Sequence, residues 1–530
     1  MKSAMKQQIY KDAFRYIWLP ICLSVFQACL EGVMSVRYAS IFGNFSDAVF
    51  ALNFAEGLKN IYSFLAVFLV TVLFIPALSF VNDMILVKNA FAHDRKVLGR
   101  FLDKSCEAVS QIEAGDMLNR LDEDPNELRQ MLIMISSSAL MIPVTLVYLI
   151  DSVRPISLAY FLMVLAISLV KFFVPMLVKK AEKKYHKAEK KYHSMVRSCE
   201  TDIAHRAHLI NLFGLGEPFC NHLNKLYDAF FQTTKKKSIH LNTTVESIQS
   251  FVDTLCMMMV LLIGAYFAAV NKISPGAVAA MVGYYSVLNN MIRKLDYIIR
   301  KVPVLDTLAE RLAYFYEDRE MTTGISMKEF QVLQGENLTV SRKDKVVFDS
   351  VSFSVQSGDK VAVCGENGSG KSTIMKVMLG LLGDYQGKLE VNGIRLSDVN
   401  LEAYRSLVAY APQDPYLFKG TVMENIKLAK FDAGETEIKR WLQEYGIQGI
   451  AEREINSGGY ELSGGERQKL SMIRAIIKDT PIVFMDEPEN NLDAAAVEKV
   501  KEWILSSGRT IVYISHNPEL IACANKRIEL

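Results

Sequence analysis

The chain has 530 residues, half of them hydrophobic, and its mean hydropathy is +0.15. This composition excludes an intrinsically disordered chain and indicates a membrane protein with a soluble part. A net charge of +2, from 60 Lys and Arg against 58 Asp and Glu, argues against a nucleic-acid binder. The 8 cysteines form no CxxC pair, which argues against a disulfide framework or a thiolate zinc site.

Six apolar segments occupy the amino-terminal part of the chain, each near the ~20 residues that cross a bilayer. The predicted spans are Ile17–Phe42, Ile61–Val81, Met131–Ile150, Ile156–Val178, Phe251–Val270 and Ala277–Met291. The first apolar run is too long for the core of a cleavable signal peptide. We therefore expect Lys2–Arg15 to form an interfacial helix that leads into the first span.

The connections between these spans alternate in length and charge. Arg154 is the one basic residue between the third and fourth spans, and Lys272 is the one between the fifth and sixth. The other connections are long and basic, as in residues 179–191. The positive-inside rule therefore places the amino terminus, the long connections and everything after the sixth span in the cytoplasm.

A glycine-rich segment, GENGSGKST, follows the apolar strand Val361–Cys364 and precedes an apolar helix. It fits the G-x-x-x-x-G-K-[ST] phosphate-loop pattern. Its glycines let backbone N–H groups surround phosphate oxygens, Lys371 supplies a positive charge, and Ser372 offers a hydroxyl to Mg²⁺. The predicted nucleotide-binding residues are Gly365, Glu366, Asn367, Gly368, Ser369, Gly370, Lys371, Ser372 and Thr373. A structural glycine turn would need neither the Lys nor the Ser.

Shorter apolar runs of about five residues alternate with helical stretches after Met327, which is typical of a soluble α/β domain. The predicted fold class is therefore an all-α six-helix transmembrane domain followed by an α/β P-loop NTPase domain. We place the two domains at residues 1–325 and 326–530.

Two adjacent carboxylates end the apolar run in PIVFMDEP. Asp486 is predicted to hold Mg²⁺ through water, and Glu487 to polarise a water for attack on the γ-phosphate. Alone, such a pair would suit a solvated strand end, but the phosphate loop upstream favours catalysis.

A second glycine-rich segment, LSGGERQ, opens a later helix and contains Ser463, Gly464 and Gly465. A helix amino terminus of this kind binds anions. Since one nucleotide already fills the phosphate loop, this second site has a role only if it faces a nucleotide held by another subunit.

Together, LSGGERQ, GENGSGKST and IVFMDEP resemble the ABC transporter ATPase family, and with the six spans the whole chain resembles a half-transporter of the exporter type. The resemblance implies that Gln413 senses Mg²⁺ and contacts the membrane domain. It also implies that His516 is the switch histidine on the γ-phosphate and that Asp493 belongs to the dimer-contact loop. Coupling helices are expected near Val109–Met117 and Leu212–Phe219.

This sequence departs from the family pattern at two positions near the nucleotide site. Val340 stands where we expect the family's adenine-stacking aromatic residue, so nucleobase selectivity should be weak and Val340→Tyr should tighten nucleotide binding. Arg342 is the alternative stacking residue, and Phe348 is expected to point into the core. Ser457 replaces a usual glutamate before LSGGERQ.

Two carboxylates lie within the predicted spans, Glu31 and Asp253. They could face a central cavity and meet a cationic substrate, or they could be solvated or hydrogen-bonded between helices.

The leading interpretation is an ATP-driven transporter that uses ATP and Mg²⁺ and exports a peptide, a lipid or an amphipathic small molecule. A siderophore-type importer on the same fold and a membrane regulator that uses ATP only as a ligand are the alternatives. We expect a multi-pass protein of a bacterial cell membrane with a cytoplasmic ATPase domain. A homodimer is favoured over a heterodimer with a related half-transporter, and no nucleic-acid partner is expected.

Overall fold

The structure is a computed structural model in which the chain forms two compact units. It describes residues 2–104, 108–109, 112, 114–169, 185, 188, 192, 195–204, 206–270, 272–317, 324–342, 345–456 and 458–530. The first unit consists of Met1–Asp103 and Ile112–Asp318, and the second of Lys104–Gln111 and Arg319–Leu530. A helical half followed by a half with sheets confirms the predicted fold class.

The first unit is built from helices. They are α1 (Lys2–Phe50), α2 (Phe54–Leu69), α3 (Ile75–Leu102), α4 (Ala114–Leu121), α5 (Glu123–Val153), α6 (Leu158–Leu169), α7 (Ala207–Leu212), α8 (Gly216–Phe230), α9 (Lys236–Ala269) and α10 (Pro275–Glu317). A π-helical turn, Val70–Phe74, joins α2 to α3, and Phe231–Lys235 joins α8 to α9. The first of these turns lies just before Pro76, which lacks the N–H that a regular α-helical ladder would use.

Four helical stretches among the described residues are long and apolar enough to cross a membrane. They contain the predicted first, second and third spans and the fifth span up to Ala269. The fourth predicted span begins in the shorter apolar helix α6, and its remainder lies outside the described residues. The sixth predicted span forms the first part of α10.

The segment Lys2–Arg15, predicted as an interfacial helix that leads into the first span, forms the beginning of α1. α1 is one continuous helix of 49 residues with Pro20 inside it. Ile9, Ala13 and Ile17 recur every four residues along it and are buried. This stripe packs into the core of the unit, which explains why the segment continues the first span.

α1 and α10 approach each other closely through small residues. A Cβ atom added to Gly43 would lie 2.7 Å from the Cβ of Ala280, and one added to Gly283 would lie 2.4 Å from the Cβ of Ala39. We call these residues, together with Gly276, the α1–α10 seam. The contacts also fix the alignment of the two helices, with Ala39 level with Gly283 and Gly43 level with Ala280.

The second unit contains three sheets and the helices that cover them. The strands are β1 (Val332–Arg342), β2 (Lys345–Gln356), β3 (Lys360–Cys364), β4 (Gln386–Val391), β5 (Ile394–Arg395), β6 (Val408–Ala411), β7 (Gly420–Thr421), β8 (Glu454–Ile455), β9 (Ile482–Asp486), β10 (Thr510–Ile514) and β11 (Lys526–Glu529). The helices are α11 (Lys371–Met378), α12 (Leu401–Ser406), α13 (Val422–Lys427), α14 (Glu435–Glu444), α15 (Gly464–Ile477), α16 (Ala494–Ser506) and α17 (Pro518–Ala522).

A five-stranded parallel sheet in the order β11-β3-β10-β9-β6 is the centre of the second unit. All residues of β9 and β10 are buried, as expected for strands that are covered on both faces. An antiparallel sheet in the order β2-β1-β4-β5 and the pair β7-β8 complete the unit.

Candidate active site

The predicted site residues follow the carboxyl ends of four neighbouring parallel strands. The phosphate loop follows β3, His516 follows β10, Glu487 follows β9, and Gln413 follows β6. Ligands of open parallel sheets bind at this edge. The topology therefore brings residues together that are far apart in the sequence.

The phosphate loop has the backbone that the motif predicts. Gly365, Gly368 and Gly370 have φ angles of 150°, 87° and 100°, a region in which a side chain would be strained. Lys371 is buried at the start of α11, and its Nζ donates to the carbonyl oxygens of Gly365 (2.8 Å) and Glu366 (2.9 Å). The amino group is thus held at the centre of the loop.

The remaining loop residues divide between surface and interior. Glu366 and Asn367 are exposed, whereas Ser372 and Thr373 are partly buried in the first turn of α11. The Ser369 hydroxyl oxygen is buried and has no hydrogen-bond partner among the described residues. A phosphate oxygen would supply such a partner, so the loop fits a bound nucleotide.

Asp486 is buried at the end of β9 beside the phosphate loop. Burial, followed by the negative charge of Glu487, raises the pKa of Asp486, and a hydrogen bond with the Ser372 hydroxyl opposes this effect. Asp486 Oδ1 is buried and has no hydrogen-bond partner within the described residues. A buried carboxylate oxygen beside a hydroxyl suits Mg²⁺, which prefers oxygen ligands.

Glu487 lies at the centre of a group of side chains. Gln413 Nε2 donates to Glu487 Oε2 at 2.6 Å, and the Asn490 side chain donates to the same oxygen. His516 Nε2 lies 3.6 Å from Glu487 Oε1. Glu487 has a φ of 49°, so the chain turns sharply directly after β9 and presents the carboxylate at the sheet edge.

Glu489 is a site residue that sequence reasoning missed. Its Oε1 accepts hydrogen bonds from Ser515 Oγ (2.6 Å) and from the backbone N–H groups of His516 (2.9 Å) and Asn517 (3.3 Å). Its Oε2 is buried and lacks a hydrogen-bond partner in the described part of the chain. One carboxylate thus ties the loop after β9 to the loop that carries His516.

The second glycine-rich segment starts α15. Ser463 is its N-cap and forms a capping box with Glu466, whose carboxylate accepts from the Ser463 backbone N–H at 2.7 Å and from its hydroxyl at 2.8 Å. These bonds from Ser463 lower the pKa of Glu466. Cβ atoms added to Gly464 and Gly465 would meet Asn491 at 3.2 and 2.7 Å. The segment therefore packs against the loop that follows Glu487.

Asp493 has a structural role in this chain. Its Oδ1 caps α16 by accepting from the Ala496 N–H at 2.8 Å, and its Oδ2 accepts from Lys469 at 2.8 Å. The hydrogen bond from Lys469 lowers the pKa of this carboxyl group. Since Lys469 lies in α15, Asp493 links α15 to α16.

The predicted position of the base-stacking residue is wrong. Val340 is buried in the core opposite Phe348, which points into the core as expected. The register shifts between Val340 and Ser341, and after this bulge Arg342 is exposed at the end of β1. On the paired strand, side-chain atoms of both Val347 and Phe348 would lie 3.0 Å from a Cβ on Gly370, so both residues lie against the phosphate loop. Ser457 lies outside the described residues.

The predicted coupling segments are partly described. Leu212–Phe219 contains the end of α7, a turn with Gly214 at a φ of 63°, and the start of α8. Part of Val109–Met117 lies outside the described residues.

A cavity of about 720 Å³ lies in the first unit between α1, α2, α5 and α10. Neither Glu31 nor Asp253 lines it. Asp253 Oδ2 instead accepts from Arg293 at 3.0 Å, and Glu31 accepts from Gln27 at 3.0 Å. Arg293, which sequence reasoning did not single out, is a lining residue.

Comparison with known protein families identifies both halves of the chain. The model described as the ABC transporter transmembrane region matches residues 19–292, and the model described as ABC transporter matches residues 348–490. The first match covers more than half of the chain.

Curated relatives each match only a part of this chain. Transport/processing ATP-binding protein ComA of Streptococcus pneumoniae is 32% identical over 32% of this chain and 25% of its own length. The ATP-dependent lipid A-core flippase of Neisseria gonorrhoeae is 32% identical over 34% of this chain and 30% of its own. Lactococcin-A transport/processing protein LcnC of Lactococcus lactis is 26% identical over 54% of this chain and 42% of its own. The chain thus spans less than half the length of these relatives.

A solved structure shares the fold over nearly the whole chain. The structure of a bacterial Atm1-family ABC exporter with ATP bound superimposes with a TM-score of 0.83, covering 97% of this chain and 93% of the other at 17% identity.

Proposed function

The chain belongs to the ABC transporter family, and from this premise we propose that it is an ATP-driven exporter subunit. It would hydrolyse ATP with Mg²⁺ in the domain at 326–530 and move a peptide, a lipid or an amphipathic small molecule through the domain at 1–325. The relatives are named as transport/processing proteins and a flippase, which favours export over siderophore import.

One observation carries this proposal. The four loops after β3, β10, β9 and β6 place a phosphate loop, two carboxylates, a glutamine and a histidine at one edge of the sheet. A regulator that only binds ATP would need the phosphate loop but neither Glu487 nor His516. The presence of Glu487 and His516 beside the phosphate loop therefore favours ATP hydrolysis over a sensor function.

Each group has a chemical role that follows from its position. The loop amides and Lys371 would bind the phosphates, and Glu487 would orient and polarise the attacking water. His516 would donate a hydrogen bond to the γ-phosphate. Ser372, Asp486 and Gln413 would hold Mg²⁺, which supplies neutralisation of phosphate charge when bound.

The working unit would be a dimer in a bilayer. We favour a homodimer, because this chain carries both the phosphate loop and the segment with Ser463, Gly464 and Gly465. In such a dimer the segment of each chain would complete the site of its partner, and Asp493 would lie in the contact loop. We place the chain in a bacterial cell membrane, and the basic connections support a cytoplasmic ATPase domain.

Phosphate release from the purified chain in nanodiscs tests the ATPase. We expect Mg²⁺-dependent hydrolysis in the wild type and none in Glu487→Gln, which should still bind a fluorescent ATP analogue because Lys371 and the loop are intact. Lys371→Ala is the matched control and should lose binding. Hydrolysis by Glu487→Gln within tenfold of the wild type would contradict the assignment of Glu487.

A further inference from the structure

We propose that the cavity between α1 and α10 binds an amphipathic anion, a molecule with a carboxylate or phosphate head and an apolar body. This inference rests on the proposed transport function, because it names the class of substrate for which the membrane unit is built. A volume of about 720 Å³ is within the range of small-molecule sites.

The wall that α10 contributes changes from apolar to polar along the helix. Its lining residues begin with Ala279 and Val282 and end with Asn289, Asn290 and Arg293. At 1.5 Å per residue, the apolar and the charged ends lie about 20 Å apart. A ligand that fills this cavity therefore meets hydrocarbon at one end and hydrogen-bonding groups at the other.

The aromatic side chains of the cavity lie toward the apolar end. Phe42 of α1 is next to Gly43, which the seam places level with Ala280. Phe64 of α2 lies with its ring centroid 5.4 Å from that of Tyr38. These rings would contact the apolar body of the ligand.

Arg293 is the cation at the polar end among the lining residues that the structure describes. The Arg293 side chain is 70% exposed, and Asp253 Oδ2 contacts its terminal nitrogen Nη2 at 3.0 Å. A guanidinium has five N–H donors, so most of them remain for a ligand. Asp253 Oδ2 also accepts a hydrogen bond from the Asn289 side chain at 3.4 Å, which helps to hold the carboxylate in place against the guanidinium.

The charge of the lining selects the sign of the ligand. Among the described residues no acidic side chain lines the cavity, while Arg293, Asn289, Asn290 and Ser286 all offer donors at the polar end. Guanidinium groups bind carboxylates and phosphates through paired hydrogen bonds. A cationic ligand, which the carboxylates in the sequence suggested, would meet the guanidinium of the Arg293–Asp253 ion pair here, because Asp253 does not line the cavity.

Equilibrium binding without nucleotide tests the inference. The probes are dansyl-aminoundecanoic acid, its undecyl phosphate counterpart and its neutral primary amide, added to the full chain in phosphatidylcholine nanodiscs. We expect at least one anion to bind about tenfold more tightly than the amide, the change expected for a hydrogen bond to a charged group. The ratio between the two anions tells whether the head is a carboxylate or a phosphate.

Variants then locate the preference. Arg293→Gln should bring the anions within about twofold of the amide, and Arg293→Lys should keep part of the preference. Arg293→Gln/Asp253→Asn should behave like the single variant, which excludes repulsion from an unpaired Asp253 as the cause. Arg154→Gln removes an exposed arginine elsewhere and should bind like the wild type.

Two results would overturn the inference. They are equal binding of all probes by the wild type and an anion preference that survives Arg293→Gln. Failure of the proposed function can be distinguished from failure of this inference. It would appear as a lack of ATP hydrolysis, whereas the binding measurements are made without nucleotide.

Discussion

Glu489 couples two catalytic loops through a single carboxylate group. Hydrogen bonds to a charged acceptor are about twice as strong as neutral ones, and Glu489 Oε1 accepts from Ser515, His516 and Asn517. We therefore regard Glu489 as a positioning residue for His516. Its effect should appear in turnover more than in nucleotide affinity, because the groups that bind phosphate lie on the loop after β3.

Substitution of Glu489 tests this role. We expect Glu489→Ala to lower kcat by about tenfold or more, equivalent to about 1.4 kcal/mol in the barrier, with the KM for ATP changed by less than about threefold. Glu489→Gln keeps an acceptor oxygen, so its kcat should lie between those of the wild type and Glu489→Ala. Steady-state phosphate release measures both constants, and a rise in KM with unchanged kcat would contradict the assignment.

Arg342 is the exposed residue at the end of β1 that could cover a nucleobase. Cation–π contact with a base depends on the π-face that all bases share, so loss of Arg342 should affect ATP and GTP alike. We expect Arg342→Ala to raise both Michaelis constants by roughly threefold to tenfold and Arg342→Tyr to restore them.

Val340→Tyr is the matched control for this prediction. Because Val340 is 1% exposed in the core, a larger side chain there should lower the melting temperature and should not tighten binding. A strong preference for ATP over GTP that Arg342→Ala leaves unchanged would place the base elsewhere.

Local motifs and strand order explain why most of the nucleotide site was predictable. The phosphate loop and Glu487 each follow an apolar strand, Asp486 ends one, and parallel strands bring their carboxyl ends to one edge. Glu489 was not predictable, because its hydrogen-bond partners lie in the loop after β10. Val340 was misassigned because a bulge interrupts the alternation of β1, and no periodicity in the sequence locates that bulge.

At the scale of elements, the α1–α10 seam holds the two helices together, and two of its residues, Ala39 and Gly283, also line the cavity. Asp47 of α1 accepts hydrogen bonds from the Gly276 N–H at 2.7 Å and from the Ser274 hydroxyl at 2.6 Å, which caps the start of α10. Composition predicted both helices as spans. The contact between them could not be predicted, because the small residues are far apart in the sequence.

A methyl group in the seam should destabilise the first unit. Gly43→Ala would bring a Cβ within 2.7 Å of both Ala280 Cβ and the Gly276 carbonyl oxygen, so the helices must separate at a cost on the order of 1–3 kcal/mol. We expect a lower melting temperature for the purified chain in detergent.

Gly99→Ala is the control for the seam, since in the described part of the chain no heavy atom beyond its neighbours and its own helix backbone lies within 4 Å of a Cβ at this position in α3. It should leave the melting temperature unchanged or raise it, because Ala favours a helix over Gly by about 1 kcal/mol. Equal effects of the two substitutions would show that the close approach of α1 and α10 does not limit stability.

At the scale of the whole molecule, a homodimer makes a prediction about which defects complement each other. In the proposed twofold dimer each site would combine the phosphate loop of one chain with the Ser463 segment of the other. Lys371→Ala disables the loop. Ser463→Asp keeps the N-cap of α15 but places a negative charge toward the γ-phosphate. Each variant alone should be inactive.

Mixed dimers distinguish sites that are shared between chains from sites within one chain. Tandem purification with two tags should give mixed dimers in which one chain carries Lys371→Ala and the other carries Ser463→Asp. Such a dimer has one intact shared site, so about half of the wild-type ATPase rate is expected if the sites act independently. The wild type paired with a chain that carries both substitutions has no intact shared site and should be inactive. If each chain formed its own complete site, the order would reverse, and the second dimer alone would hydrolyse ATP. Phosphate release from the two preparations, normalised to dimer concentration by mass measurement, therefore decides whether two copies of this chain complete each other's sites.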